Sequence, residues 1–332
     1  MEKSDGKLRR PFQTAAEIHC RGYSQPLQRV ITDFGVDNAF GRVAAKLKEH
    51  YGISLPSSAA TTITEKHACA ITETVMTPVA RTTTESLTLI VETDGSMIPL
   101  VEMAAVEGVT DLRKTRKLLW KEAKLGLVRR ADDIKPVFAV TLGDAAAAGA
   151  DLKRLALAAG LNARGRVHGL GDGATWIAEQ IEQQFGARGS YLIDFFHVCD
   201  YLAAAAKVCG AEQAQSWMTI QKDRLKTGQL SAVLAALSPF LEMDSIPPSE
   251  APVRQCFRYI TNRPGQFKYP EAIAANLPIG SGEVESAHRY VIQERLKLPG
   301  AWWLKDNAQD MLNLRTARAN NRWDDYWDAL AA

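Results

Sequence analysis

Leu87-Thr88-Leu89-Ile90-Val91-Glu92-Thr93-Asp94-Gly95-Ser96-Met97-Ile98-Pro99-Leu100-Val101 decides how the rest of the chain is read. Its apolar runs, 87–91 and 97–101, predict two strands, and Asp94-Gly95-Ser96 between them is a hairpin-turn signal. Further strands are expected at 136–142, 166–170 and 191–196. Helices are expected at 145–159, with Gly160 as C-cap, and at 175–185. The order β-β-β-α-β-α-β describes a mixed sheet with flanking helices, an α/β core.

Before this core, residues 1–25 are polar and irregular and read as a leader. Apolar residues at helical spacing over 27–51 predict two short helices, broken at Gly35-Val36-Asp37-Asn38, where Asp37 or Asn38 caps the second. Ser57 or Ser58 caps a third, running to about residue 72. This rhythm resembles a helix-turn-helix, so 26–80 reads as a small DNA-binding domain offering Thr61, Thr62, Thr64 and Lys66, or as a plain three-helix cap. A polar link at 82–85 leads into the core, 84–196. Residues 197–275 are mostly helix-forming, with an irregular stretch over 263–280, and 276–332 is helical again.

With 332 residues the chain can bury a large core, and a net charge of +2 leaves the whole-chain field silent about nucleic acid. The five cysteines, Cys20, Cys69, Cys199, Cys209 and Cys256, form no CxxC or Cys/His zinc pattern and read as free thiols of a reducing cytoplasm. No apolar run reaches the roughly 18 residues of a membrane span, and the start lacks a signal-peptide core.

Three acids end or begin elements. Asp94 and Asp172 (in Gly169-Leu170-Gly171-Asp172-Gly173) follow strands, and Glu285 opens a helix. Singly, each has a plain reading as a turn residue or a solvated helix-start carboxylate. Together, two strand-end aspartates and a helical glutamate are what a pair of Mg²⁺ ions needs for phosphodiester chemistry, because hard cations take oxygen ligands. Glu283 competes with Glu285. Two positions on a helix differ by about 200°, so one of them faces the site. Glu285 lies in line with Arg289, Ile292 and Leu296, a stripe expected to face the protein, which favours Glu285.

Several stretches carry a family resemblance. They are Pro278-Ile279-Gly280-Ser281-Gly282-Glu283-Val284-Glu285-Ser286-Ala287-His288-Arg289 with Arg295-Leu296-Lys297 and Trp302-Trp303, then Asp172-Gly173-Ala174-Thr175-Trp176-Ile177, Tyr191-Leu192-Ile193-Asp194-Phe195-Phe196-His197-Val198, Thr93-Asp94-Gly95-Ser96-Met97 and Trp120-Lys121-Glu122. With these and Cys20-Arg21-Gly22-Tyr23-Ser24, the chain resembles bacterial insertion-sequence transposases of the ISKra type from about residue 18 to 327. The resemblance implies an RNase H-like core interrupted by a helical insertion and completed by the C-terminal helices. It implies a DDE triad, carried over as Asp94, Asp172 and Glu285. It also implies two Mg²⁺ ions, with Mn²⁺ able to substitute, and strand cleavage and transfer at the terminal repeats of double-stranded DNA. The enzymes it resembles act as oligomers on paired ends, which places this one in the cytoplasm at the nucleoid.

Other candidates surround the triad. His197 and His288 are expected to position DNA or support the metal ligands, with a structural histidine as the alternative. Arg113, Lys114, Arg116, Lys117, Lys121 and Lys124 suit phosphate contacts, as do Arg289, Arg295 and Lys297 beside the site. Trp302 or Trp303 offers a stacking surface for a base, and 315–322 with Trp323 and Trp327 reads as a docking helix. Two other functions stand beside the transposase: an actin-like phosphotransferase, for which no convincing glycine-rich adenosine motif is present, and a DNA binder of transposase origin without chemistry.

Overall fold

The computed structural model describes residues 2–4, 7–9, 15, 18–19, 22–74, 86–104, 108 and 110–331. About half of the leader reading for 1–25 falls outside these residues, as does all of the polar link at 82–85. Within the described pieces, Glu2–Ser4 pairs antiparallel with Lys7–Arg9, and Ile18–His19 with Tyr23–Ser24.

The centre is a five-stranded mixed sheet of β1 (Thr88–Glu102), β2 (Lys117–Arg130), β3 (Val137–Thr141), β4 (Arg166–Gly171) and β5 (Gly189–Ile193), in the order β3-β2-β1-β4-β5. β1, β2 and β3 are antiparallel neighbours, whereas β4 runs parallel to β1 and to β5. The expected hairpin at Asp94-Gly95-Ser96 is not there. β1 passes straight through it, paired with β2 without interruption from Leu89↔Arg130 to Glu102↔Lys117. The ladder to β2 outweighs the local turn preference, and Gly95 serves a different need: a Cβ there would lie 2.1 Å from the Glu122 carboxylate. The basic stretch 117–124, not expected to be a strand, is the first half of β2.

Period-two alternation sorts the faces. Leu89 and Val91 pack on α4 (Ala145–Ala158) and α5 (Thr175–Phe185). Ile98 and Leu100, with Leu125 and Leu127 of β2, pack against α11 (Gly282–Ala287) and α12 (Lys305–Ala319) on the other face. Beside them on that same face, Ile90, Leu170 and Leu192 meet a helical block of α6 (Phe195–Cys209), α7 (Ala214–Lys226), α8 (Leu230–Leu237), α9 (Pro252–Thr261) and α10 (Tyr269–Ala274). Asp194 ends β5 and caps α6, accepting the N–H groups of Phe196 (2.6 Å) and His197 (3.0 Å), so the strand expected to reach residue 196 stops at Ile193. α10 lies in the stretch expected to be irregular.

The N-terminal helices are α1 (Gln25–Asp37), α2 (Phe40–Tyr51) and α3 (Ser57–Thr74). The cap expected from Asp37 or Asn38 is absent: Ala39 occupies the α2 N-cap without a side-chain bond. Asn38 instead closes α1 through Phe34 O, and Asp37 turns to Arg315 (2.9 Å) and Arg318 (3.0 Å). α3, the expected reader helix, buries one face and leaves Thr61 and Thr62 half-buried on the other. Its Ala59, Ile63, Thr64, His67, Ala68 and Ile71 are buried, and Lys66 is the one charged residue among its described exposed positions. His67 bonds the Tyr326 hydroxyl (2.7 Å) and Gln28 Oε1 (3.0 Å). Tyr326 and Trp327 bury on it from α13 (Trp323–Ala331), and the docking helix expected over 315–322 with Trp323 and Trp327 is split between the end of α12 and α13 by a turn at 320–321. Among the described residues no helix is long and apolar enough to cross a membrane.

Two buried arginines bind these parts together. Arg315 of α12 donates to the carbonyls of Val291 (2.7 Å), Val36 (2.7 Å) and Tyr290. Arg295, expected to contact DNA, is 2% exposed. It donates to Gly35 O (3.0 Å), and its guanidinium lies over the rings of Phe40 and Trp303. It is a core residue, so that expectation is corrected. Arg315→Leu leaves these carbonyls without donors. It is expected to lower stability by about 2–4 kcal/mol, read as a drop in the urea midpoint, while Arg289→Leu on the exposed side of the π-helical turn (His288–Gln293) leaves the midpoint within about 0.5 kcal/mol.

Candidate active site

β4 pairs with β1 only as far as Glu92↔Leu170. Two residues further on, Asp94 and Asp172 stand level, at the point where β4 ends and β1 continues. Glu92, Asp94, Leu170 and Asp172 share a face by alternation, the one covered by α11 and the helical block. Carboxylates from two adjacent strands therefore open into one notch.

α11 is held over this notch by a buried acid. Glu92 is 0% exposed and accepts the Val284 N–H at 2.9 Å, in the first turn of α11. Burial pushes its carboxyl up to about 8, with Glu283 adding repulsion and the Val284 N–H opposing it. Its other oxygen, Oε1, has no partner among the described residues. Asp194 secures the approach to α11: its Oδ2 accepts the Ser281 N–H (2.5 Å) and hydroxyl (2.6 Å). Gly280 is needed because a Cβ there would meet the Phe196 ring at 2.8 Å.

The choice between the two glutamates resolves through pairing. Glu283 is taken by Arg129, whose Nε and Nη2 donate to it at 2.5 to 2.9 Å. Glu285 is exposed and acts on Asp94 through its charge. It does not lie on a stripe facing the protein, as expected. The buried stripe is Val284, Ala287, His288, Val291, Ile292, Arg295 and Leu296, held in phase by the π-helical turn, and Arg289 faces solvent at 82% side-chain exposure.

Asp94 carries the electrostatic signature of the site. Its carboxyl is pushed up to about 6, first by burial and then by the charges of Asp172, Glu285 and Glu122, against the lowering effect of the Gly95 N–H at 2.7 Å. His288 lies against it, Nε2 to Oδ2 at 3.4 Å. His288 is 3% exposed, neither ring nitrogen is hydrogen-bonded within the described residues, and burial drives its pKa down to about 4, so the ring is neutral at pH 7.

The Asp172 turn is braced by residues that sequence reasoning missed. Tyr259 of α9 donates its hydroxyl to Asp172 O (2.6 Å), and Arg263 Nε donates to Gly173 O (2.7 Å). The Gly173 N–H donates to the Tyr191 hydroxyl (3.0 Å), and the Ala174 N–H to Asp172 Oδ1 (2.8 Å). Gly173 has φ +88°, and a Cβ would sit 2.5 Å from the Tyr259 hydroxyl. His197 packs its ring on Tyr201 and Tyr259, one step behind this brace. Only Glu92 had a local signal: a charge in an apolar run, two residues before Asp94 and so on its face.

The surrounding cations are unevenly placed. Lys114, Arg116, Lys117 and Lys297 are exposed, and Arg116 lies over the half-exposed Trp302 (4.6 Å). Trp303 is buried. Lys121 is half-buried on β2, and Lys124 folds onto Glu122 (2.5 Å) and the Trp176 ring. The side chain of Arg113 lies outside the described residues.

All-oxygen donors from Asp94, Asp172 and Glu285 suit a hard divalent cation by chemistry, and Asp94's raised proton affinity marks the repulsion such a cation would relieve. Among the described residues, no group of three or more His, Cys, Asp or Glu side chains is gathered closely enough to hold a metal ion as it stands. In comparisons with known proteins, no family model matches the chain and no curated protein matches its sequence.

The folded-state pKa of Asp94 lies above its unfolded value of 3.8, so the folded protein holds the extra proton and stability falls as pH rises from about 4 to 6. Two units correspond to about 3 kcal/mol, which solvent screening of a one-third exposed carboxylate reduces to about 1 kcal/mol. Asp94→Asn is expected to raise Tm by a few degrees at pH 7 and to match wild type near pH 4, in calorimetric scans across that range. Glu92→Gln extends the test, removing a loss of stability that wild type shows up to about pH 8.

Proposed function

We propose that this protein is a DDE-type DNA transposase with an RNase H-like core, cutting and joining strands at the terminal repeats of an insertion sequence. The observation that supports the reading is the charge coupling of Asp172 and Glu285 to Asp94, across as many as 191 positions of the chain (285 − 94). The five-stranded mixed sheet supports it, as does the helical block lying between β5 and the segment that brings Glu285. A divalent cation pair, Mg²⁺ or Mn²⁺, held by these three carboxylates would supply Lewis-acid activation of a water or 3′-hydroxyl and neutralise the leaving 3′-oxygen.

The chain's own groups do the rest. Neutral His288 buttresses Asp94 without competing for its charge. Glu92, protonated at neutral pH, fixes α11 without adding a further negative charge to the notch. Tyr259 and Arg263 hold the Asp172 turn. Exposed Lys114, Arg116, Lys117 and Lys297 offer phosphate contacts that buried Arg295 does not. The reading also places two or more copies on paired DNA ends.

The test uses labelled duplexes taken from the DNA flanking its own coding sequence, with Mg²⁺ or Mn²⁺. Cleavage or strand joining is expected, falling at least 100-fold in Asp94→Asn, Asp172→Asn and Glu285→Gln, because each removes a charged ligand. Cleavage that survives Asp172→Asn would falsify the assignment of that residue. Turnover of ATP would point to a phosphotransferase instead, and binding without chemistry to a DNA binder alone.

A further inference from the structure

The helical block carries a second feature beside Asp172. A cavity of about 280 Å³ is lined by Tyr201, Tyr259, Arg254, Arg258, Asn262 and Arg263, with no carboxylate among its lining residues. It adjoins the notch through two of these residues, since Tyr259 and Arg263 are the groups that bond the carbonyls of Asp172 and Gly173.

The three arginines are not equivalent. Arg254 is 6% exposed and donates through Nη1 and Nη2 to the carbonyls of Glu242, Met243 and Ile246, with the exposed Asp244 carboxylate 3.8 Å from Nη1, so its guanidinium is fixed in place as part of the wall. Arg263 uses Nε on Gly173 O and Nη1 on Tyr259 O, and lies over the Tyr259 ring at 4.0 Å, leaving Nη2 unengaged among the described residues. Arg258 is 59% exposed and meets only Asp244, itself 87% exposed, at 3.1 Å. An ion pair so open to water is weak and yields readily to a better acceptor. Tyr201 closes one side, stacked on Tyr259 at 4.1 Å.

A fixed positive wall, two guanidinium groups with donors to spare and an aromatic side form a pocket for a phosphate. Its volume admits a phosphodiester with a neighbouring sugar and is too small for a turn of duplex. We propose that this cavity holds a backbone phosphate of the DNA strand adjoining the one cut at Asp172, so that the helical block grips the substrate as well as bracing the site. The inference rests on the DNA reading above, but its test does not depend on cleavage.

The experiment measures binding of a labelled oligonucleotide by fluorescence anisotropy, in EDTA, over a series of salt concentrations. Arg258→Glu is expected to weaken binding about tenfold or more and to lower the salt slope by about one. Arg258→Lys, which keeps the charge, should bind nearly as wild type. Both should keep the wild-type Tm, because Arg258 makes no buried bond. Arg289→Glu, an exposed cation on the π-helical turn after α11, should have the smaller effect. If Arg258→Glu binds with wild-type affinity and slope, the pocket is not a phosphate site and the proposal falls while the transposase reading stands. If wild type binds no DNA at low salt, the functional reading falls first and takes this proposal with it.

Discussion

The hydrogen bond from the Val284 N–H to the buried Glu92 carboxyl joins the two halves of this molecule that make the notch. One end is in the middle of the central strand, two residues before Asp94. The other is in the first turn of the helix that brings Glu285, one residue before it. A charged group with no exposure is costly unless neutralised, and Glu92 meets that cost by holding its proton. The site therefore gains a rigid anchor for α11 without a further negative charge among its carboxylates.

A second anchor works on the neighbouring strand. Asp194 caps α6 with one oxygen and gathers Ser281 with the other. The same carboxylate thus starts the helical block and positions the loop that returns to the sheet. The block in turn reaches back through Tyr259 and Arg263 to hold the Asp172 turn. Each wall of the notch is set by an element distant in sequence. This is why loosening a remote helix is expected to disturb the carboxylates.

The interior of the site is under electrostatic tension. Asp94 is largely buried and faces like charges, so it prefers its proton more than a free aspartate does. Stability given up at a functional site is recovered elsewhere, here by the arginines that knit the N-terminal helices to α11 and α12. Arg315 spends its donors on carbonyls and Asp37 inside the protein, and Arg295 gives Nε to Gly35 O and its guanidinium face to two rings. Arg295 had read as a DNA-contacting cation because a sequence shows charge but not what covers it.

Much was legible in the amino-acid order alone. Apolar runs placed β3, β4 and β5 and marked β1 as two strands rather than one, α4 and α5 were found nearly to the residue, and Asp94, Asp172 and Glu285 stood out as acids at the ends of elements. Local patterns carry that information because side-chain periodicity and capping act over a few residues. The straight course of β1 through Asp94-Gly95 was decided by its ladder with β2, a partner absent from any local window. So were the burial of one face of α3 and of Arg295, the commitment of Glu283 to Arg129, and the bracing of Asp172 by Tyr259 and Arg263. Those depend on contacts between residues tens to hundreds of positions apart, whose free energy exists only once the chain has folded.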